Sequence, residues 1–194
     1  MVAESLQDKP ATAESAAAIQ AVWNLLEHIP DPEIPVVSIR ELGILRDVRL
    51  VDGGVVEVVI TPTYSGCPAI GQIEDDIRAA LGQAGYAVKV TTQLAPAWTT
   101  DWMDDATRNK LKDYGIAPPQ HQKAGGNVIQ FAPKSGAFYA HNTRPSGPFG
   151  LNSVPCPRCS SPNTTETSHF ASTACKALYK CLDCLEPFDY FKPY

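Results

Sequence analysis

Two pairs of cysteines between residues 156 and 184 constrain the fold more than any other feature of the sequence. Each pair has the spacing C-x-x-C, as Cys156 with Cys159 and Cys181 with Cys184, and 21 residues separate the pairs. A C-x-x-C turn brings two sulfurs to one place, so two such turns supply the four ligands of a tetrahedral metal site. We predict one metal ion here, a structural zinc. Iron in the same four-thiolate site is the alternative.

The start of the sequence bears on whether these cysteines stay reduced. MVAESLQDKPATAES lacks the basic start and apolar core of a secretory signal. No stretch approaches the ~20 apolar residues that span a bilayer. We therefore expect a cytoplasmic protein, in which paired cysteines are metal ligands rather than disulfides. The net charge of −5 argues against nucleic-acid and anionic-membrane partners.

Hydrophobic periodicity predicts an α+β domain over residues 13–115. Its elements are a helix over 13–29, strands over 44–51 and 55–61, a helix over 69–84, a strand over 86–93 and a helix over 100–112. Ser38 and Glu41 have the spacing of a capping box for a short turn that ends at Gly43. The order α-β-β-α-β-α predicts a small sheet with helices on one face.

The rest of the chain divides into two parts. Residues 116–154 are rich in glycine and proline and are predicted to be a flexible linker. Residues 155–194 are predicted to be a β-rich, zinc ribbon-like module, because about 40 residues need a metal in place of a large core. Cys175 and His169 are alternative ligands, although the two C-x-x-C pairs make them unnecessary.

Cys67 lies between a predicted strand and a predicted helix and is followed by Pro68, which suits a first helical turn. Amides and the helix dipole at that position are expected to lower the pKa of the thiol. Cys67 is then a nucleophile or a soft metal ligand, and a buried filler is the alternative. The neighbouring proline-rich loop carries Asp31 and Glu33, which on their own are interpreted as loop or capping carboxylates. An enzyme would also need a base, for which His28 is the one fair candidate.

Several segments together resemble a known family. DPEIP, SIRELGIL, the hairpin and TPTYSGCP are similar to the SufT-like iron–sulfur assembly domain, whose T-x-x-x-C-P signature is present from Thr63 to Pro68. PAWTTDWM and STACKALYKCLDCLEPFDYFK narrow the likeness to the PaaD (PaaJ) family. Those proteins are accessory factors encoded with the phenylacetyl-CoA epoxidase, a multicomponent oxygenase.

The resemblance implies iron–sulfur or iron assembly for the epoxidase system rather than catalysis. Cys67 matches the family's functional cysteine, and Asp31 and Glu33 match its loop motif as neighbours of the site. A transient iron–sulfur cluster is the implied cargo, and two Cys67 thiolates could share it in a homodimer. The implied client is the iron–sulfur reductase, with the di-iron oxygenase component as the alternative. The competing interpretations are a zinc-ribbon adaptor or scaffold without metal transfer, a cysteine enzyme and a rubredoxin-like electron carrier.

Overall fold

The computed structural model describes residues 13–120 and 153–194, which form two compact units divided between Trp98 and Thr99. The first unit contains α1 (Ala13–Leu26), β1 (Leu45–Val51), β2 (Val55–Ile60), α2 (Ala69–Gln83) and β3 (Val88–Thr92). The second contains α3 (Asp105–Tyr114), β4 (Ile116–Ala117), β5 (Thr164–Ser168), β6 (Lys176–Cys181) and β7 (Pro187–Phe191). The α+β prediction is confirmed. None of the described helices is long and apolar enough to cross a membrane.

The sheet of the first unit has the order β1-β2-β3. β1 and β2 form an antiparallel hairpin with Val48 opposite Val58, and β3 runs parallel to β2 with Val90 beside Val58. A parallel pair needs a crossover, which α2 provides. α1 packs against β1 and α2, and α2 packs against β3, so both helices cover one face. The side chains buried in this unit include Val22, Leu26, Val56, Val58, Ile60, Ile73, Ile77 and Leu81.

The segment between α1 and β1 is held by local hydrogen bonds. α1 ends at Leu26, earlier than the predicted end at residue 29, and Ile29 lies in the turn that follows. The predicted capping box is present. The Glu41 N–H donates to Ser38 Oγ at 3.2 Å, and the Ser38 N–H donates to Glu41 Oε2 at 2.9 Å. Gly43, with φ of +72°, ends this turn as predicted.

The second unit is a four-stranded sheet of order β4-β7-β6-β5. β4 pairs parallel to β7, and the other pairs are antiparallel. Its buried core combines Ala117, Val154, Cys156, Ala177, Cys181, Phe188 and Tyr190. β4 and Val154 therefore belong with the ribbon, because a module of about 40 residues has too little chain to cover its own apolar strands.

This arrangement differs from the predicted division at residues 115 and 155. α3 was assigned to the first domain, whereas it lies in the second unit and leads directly into β4. Gly115, with φ of +98°, makes that sharp connection possible. The greater part of the predicted linker, residues 121–152, lies outside the described residues. The predicted domain bounds of 13–115, 116–154 and 155–194 stay a prediction.

The last predicted helix begins later than residue 100. Thr100–Trp102 forms one 3₁₀ turn, and Met103 then has extended backbone. α3 begins at Asp105 because Asp104 provides the better cap: its side chain accepts a hydrogen bond from the Thr107 N–H at 2.7 Å.

The face of the first sheet that carries Glu57 is organised around its carboxylate. Glu57 lies between Arg49 and Lys89 in the strand register, and only 7% of its side chain is exposed. Arg49 Nε and Lys89 Nζ each lie 2.8 Å from its oxygens, and the Thr91 hydroxyl donates at 2.8 Å. Hydrogen bonds from Lys89, Thr91 and Arg49 lower the pKa of Glu57 to about 2. One carboxylate thus joins all three strands.

Glu57→Gln is expected to destabilise the first unit at neutral pH. The folded-state pKa lies below the unfolded value of ~4.3, so this stabilisation is present above about pH 4.3 and is lost as the pH falls towards about 2. Hydrogen exchange of the β2 amides, compared between the native chain and the variant at pH 7 and pH 2, measures the difference. The exposed Glu33→Gln is the control. Equal differences at both pH values would contradict this prediction.

Candidate metal centre and the Cys67 site

The four cysteines of the two C-x-x-C pairs form one cluster. Their sulfurs all lie within 4.8 Å of one another. Cys156 Sγ lies 3.8 Å from Cys184 Sγ, and Cys159 Sγ lies 3.6 Å from Cys181 Sγ. A tetrahedral site with Zn–S bonds of ~2.3 Å has sulfurs about 3.8 Å apart. The donor set and its spacing therefore fit a zinc ion.

Each pair lies in a tight turn that is closed by backbone hydrogen bonds. The Ser160 N–H donates to the Cys156 carbonyl at 2.9 Å, and the Cys181 N–H donates to the Glu186 carbonyl at 3.0 Å. The residue after each second cysteine has a left-handed backbone, with φ of 60° at Ser160 and 66° at Leu185. Such residues cost energy unless the surrounding turn fixes them. The two turns thus share the left-handed residue after the second cysteine and differ in the hydrogen bond that closes them.

The thiols resist ionising together. Burial raises the pKa of Cys181, but amide donation from Cys184 and Asp183 outweighs it and lowers that pKa to about 7. At Cys184, donation from the Glu186 amide lowers the pKa, but burial and the three neighbouring cysteines raise it to about 12. One thiolate forms easily and opposes the next. A divalent cation supplies the positive charge that allows all four to be thiolates.

The two alternative ligands lie outside this cluster. Cys175 is buried, with its sulfur 3.1 Å from the Thr173 hydroxyl oxygen. His169 is exposed, with Nδ1 3.2 Å from a carboxylate oxygen of Glu166. Neither is among the four residues whose ligand atoms converge. Their contacts are those of a packed cysteine and a surface histidine.

Cys67 is half-buried at the start of α2, in the loop that follows β2. Its backbone N–H donates to the Tyr64 carbonyl at 3.2 Å, which folds the chain into a turn before the helix. The Ile70 N–H donates to the Cys67 carbonyl at 3.4 Å, and the amides of Ala69 and Ile70 and the hydroxyl of Thr63 act on the sulfur to favour its thiolate. The predicted placement at a helix N-terminus is therefore confirmed. Apart from the family signature, no sequence pattern predicted the contact with Thr63.

The expectation of a lowered pKa at Cys67 is wrong. Burial raises the pKa of the thiol, and the negative charge of Asp31 raises it further. Donation from Ala69, Ile70 and Thr63 lowers it, but by less. A helix N-terminus lowers a thiol pKa when the sulfur is exposed and no anion is near. Neither condition holds here.

Asp31 is buried and organises the loop that precedes β1. Its Oδ1 accepts hydrogen bonds from the Glu33 and Ile34 amides, each at 2.9 Å. Its charge acts on Cys67, so the structure brings these two predicted residues together. Glu33 is exposed and joins this turn through its backbone amide. His28 is also exposed, with Nε2 3.8 Å from a Glu27 oxygen.

Cys159→Ser is expected to lose the bound metal and to unfold β5, β6 and β7 while α1, α2 and β1–β3 stay folded. Structural zinc contributes ~10–16 kcal/mol of folding free energy in small modules, and three thiolates hold it far less tightly than four. Zinc per chain by mass spectrometry and hydrogen exchange of each unit are the measurements. Cys175→Ser, which keeps a hydroxyl beside Thr173, is the control. Retention of a full equivalent of zinc by Cys159→Ser would exclude this site.

Asp31→Asn is expected to lower the pKa of Cys67 and to accelerate its alkylation severalfold at pH 7, because it removes a nearby negative charge. The amide oxygen can still accept from the Glu33 and Ile34 amides, so the loop is retained. A pH–rate profile of iodoacetamide labelling in zinc-saturated protein is the measurement. Glu33→Gln is the matched control and should leave the profile unchanged. A slower rate in Asp31→Asn would contradict the assigned effect of this carboxylate.

Two protein-family descriptions match separate parts of the chain. The description "iron-sulfur cluster assembly protein" matches residues 19–92, and "PaaD zinc beta ribbon domain" matches residues 142–192. The first range holds Asp31, Glu33 and Cys67, and the second holds the four-cysteine cluster. The two candidate sites thus fall in two separately matched regions.

A putative 1,2-phenylacetyl-CoA epoxidase component of Escherichia coli (strain K12) is 46% identical over 175 residues, covering 90% of this chain and 92% of that protein. The Fe-S protein maturation auxiliary factor YitW of Bacillus subtilis (strain 168) is 31% identical over 93 residues, covering 48% of this chain and 84% of that protein. A solved domain of unknown function, DUF59, from Bacillus anthracis is 27% identical and covers 50% of this chain and 94% of its own, with a TM-score of 0.47. From the identity and coverage of the first relative, together with both matched regions, the chain belongs to the PaaD family, which joins an iron–sulfur assembly domain to a zinc ribbon.

Proposed function

We propose that this protein is a cytoplasmic accessory factor that receives iron or an iron–sulfur cluster at Cys67 and delivers it to the phenylacetyl-CoA epoxidase system of phenylacetate catabolism. The observation that carries the proposal is the pairing of a half-buried thiol with the negative charge of Asp31 at the start of α2. This pairing lies in the region that matches iron–sulfur assembly proteins.

A raised pKa suits a metal carrier better than a nucleophilic enzyme. At neutral pH the Cys67 thiol keeps its proton, and a thiol is a weak nucleophile. An iron ion replaces that proton and is attracted by the carboxylate of Asp31, which repels a free thiolate. Cysteine catalysis would need a base near the sulfur, whereas His28 lies on the surface beside Glu27. The charges therefore favour a cation over an electrophilic substrate.

Delivery exchanges one iron–sulfur bond for another and needs no oxidant or reductant. On loading, the Cys67 thiol releases its proton as the bond to iron forms. On transfer, a client thiol loses its proton and binds the iron while Cys67 is protonated again. The raised pKa favours this last step, because a thiolate of higher pKa takes up a proton more readily when its metal leaves.

The cargo site is open, unlike the zinc site. Among the described residues, the four-cysteine group is the one set of three or more metal-ligating side chains that converge, and Cys67 is not part of it. One thiolate and one nearby carboxylate leave most positions on iron unfilled. A second Cys67 in a homodimer, or thiols of the client, would complete the coordination. Incomplete coordination also allows release, which a carrier requires.

The role of the four-cysteine site and the identity of the client follow from the difference between the two sites. The four-cysteine site holds a structural zinc, which stabilises the ribbon and takes no part in transfer. The client is the iron–sulfur reductase component, since a thiol-for-thiol exchange suits a cluster held by cysteines. The di-iron oxygenase component, with carboxylate and histidine ligands, is the second candidate client.

Cys67→Ser is expected to abolish cluster delivery without unfolding the first unit. Serine is nearly isosteric and can accept the same amide hydrogen bonds, so stability should change by less than about 1 kcal/mol. Its hydroxyl is a far poorer ligand for iron. Anaerobic reconstitution of the purified chain, followed by transfer to the cluster-free reductase, is the measurement. Cells with the variant should grow poorly on phenylacetate and contain reductase deficient in iron and sulfide.

Cys175→Ser is the matched control, since it removes another buried cysteine outside both candidate sites. Normal reductase clusters and full growth with Cys67→Ser would remove Cys67 from the function. Normal reductase clusters with poor growth would redirect the proposal to the di-iron component. If the zinc ribbon alone restored growth, the protein would be an adaptor without metal transfer.

A further inference from the structure

We propose that Asp183 is a positioning residue of the metal centre, whose carboxylate ties the two cysteine turns together and slows metal exchange. Asp183 lies in the second turn, between Cys181 and Cys184, while Ser161 and Asn163 follow the first turn. Oδ2 of Asp183 accepts a hydrogen bond from the Ser161 hydroxyl, and Oδ1 accepts one from Asn163 Nδ2 at 2.7 Å. We call these three side chains the carboxylate clasp.

The clasp is joined to the backbone of both turns. The Asn163 N–H donates to Ser161 Oγ at 3.0 Å, and the Leu182 N–H donates to the Asn163 carbonyl at 2.8 Å. The Ser161 carbonyl accepts from the Cys156 N–H at 2.9 Å. A continuous path of hydrogen bonds therefore runs from a ligand of the first turn to the loop between the ligands of the second.

The hydrogen-bonded path runs from one cysteine turn to the other, along the direction in which the turns must separate to release a metal ion. The two short sulfur–sulfur distances, 3.8 Å and 3.6 Å, both run from one turn to the other. Zinc cannot leave until those sulfurs separate, and separation of the turns breaks the clasp. Hydrogen bonds to a carboxylate are stronger than those between neutral groups. The clasp thus adds to the barrier to opening although its residues lie at the surface.

A protein that also binds iron benefits from a zinc site that exchanges its metal slowly. Iron(II) and zinc both bind four thiolates, so a ribbon that opens readily would exchange zinc for iron wherever iron is in large excess. This purpose rests on the proposed function, but the clasp and its effect on exchange do not. The tests below involve neither Cys67 nor a client, so their failure would leave the proposed function standing.

The test measures zinc release from the zinc-loaded full chain to an excess of a coloured chelator, 4-(2-pyridylazo)resorcinol. Asp183→Ala should release zinc severalfold faster, since two hydrogen bonds between the turns are lost from the closed state. Asp183→Asn keeps one acceptor for Asn163 and should be intermediate. Asp113→Ala removes an exposed carboxylate of α3 in the same unit that lies outside the metal centre, and it should match the native rate.

Two further measurements separate positioning from general destabilisation. Asn163→Ala should accelerate release in the native background but add little to Asp183→Ala, because the shared bond is already gone. On anaerobic challenge with an excess of iron(II), Asp183→Ala should lose zinc and take up iron sooner than the native chain or Asp113→Ala, as measured by the metal content of the recovered protein. If Asp183→Ala failed to bind zinc at all, Ser161→Ala and Asn163→Ala would provide the same comparison with single bonds. Equal rates in Asp183→Ala and Asp113→Ala, or additive effects of Asp183→Ala and Asn163→Ala, would overturn the proposal.

Discussion

Four sulfur atoms within 4.8 Å of one another can be thiolates together only if a cation lies among them. Without one, Cys181 has a pKa of about 7, whereas burial and the neighbouring sulfurs outweigh the Glu186 amide and raise the pKa of Cys184 to about 12. Strands β6 and β7, with β4 and Val154, enclose a small core beside these cysteines. Such a core cannot supply a large folding free energy. One bound ion would therefore both neutralise the cysteines and stabilise the sheet.

In the first unit, Cys67 lies in a different electrostatic environment. There the helix amides favour a thiolate, but burial and the charge of Asp31 favour the thiol. Because Asp31 is itself held by the Glu33 and Ile34 amides, its charge stays fixed beside the sulfur. The site therefore disfavours an uncompensated anion. The folded sheet and α2 provide the frame that brings residues 31 and 67 together.

The sequence correctly predicted features that depend on interactions between residues close together in the chain. The capping box of Ser38 and Glu41 and the placement of Cys67 before α2 depend on residues a few positions apart, and both were confirmed. The convergence of the two C-x-x-C pairs joins residues 22 to 28 positions apart, but the repeated spacing made it predictable. The predicted pKa of Cys67 was wrong because that pKa depends on burial and on a carboxylate 36 positions earlier. The pairing of β4 with β7 joins residues more than 70 positions apart, which no periodicity reveals.

In the proposed function, the cysteine sulfur has opposite roles at the two sites: it retains a metal ion in the ribbon and releases one at Cys67. In the ribbon, four sulfurs converge, amides donate to them, and a carboxylate joins the two ligand turns, an arrangement that favours slow exchange of a bound ion. At Cys67 a single sulfur has one nearby carboxylate, and its raised pKa favours return of the proton when a metal leaves. A chain that contains both sites is suited to retain one metal ion and to release another. Retention therefore depends on how many thiolates converge and on what resists their separation, rather than on the chemistry of cysteine itself.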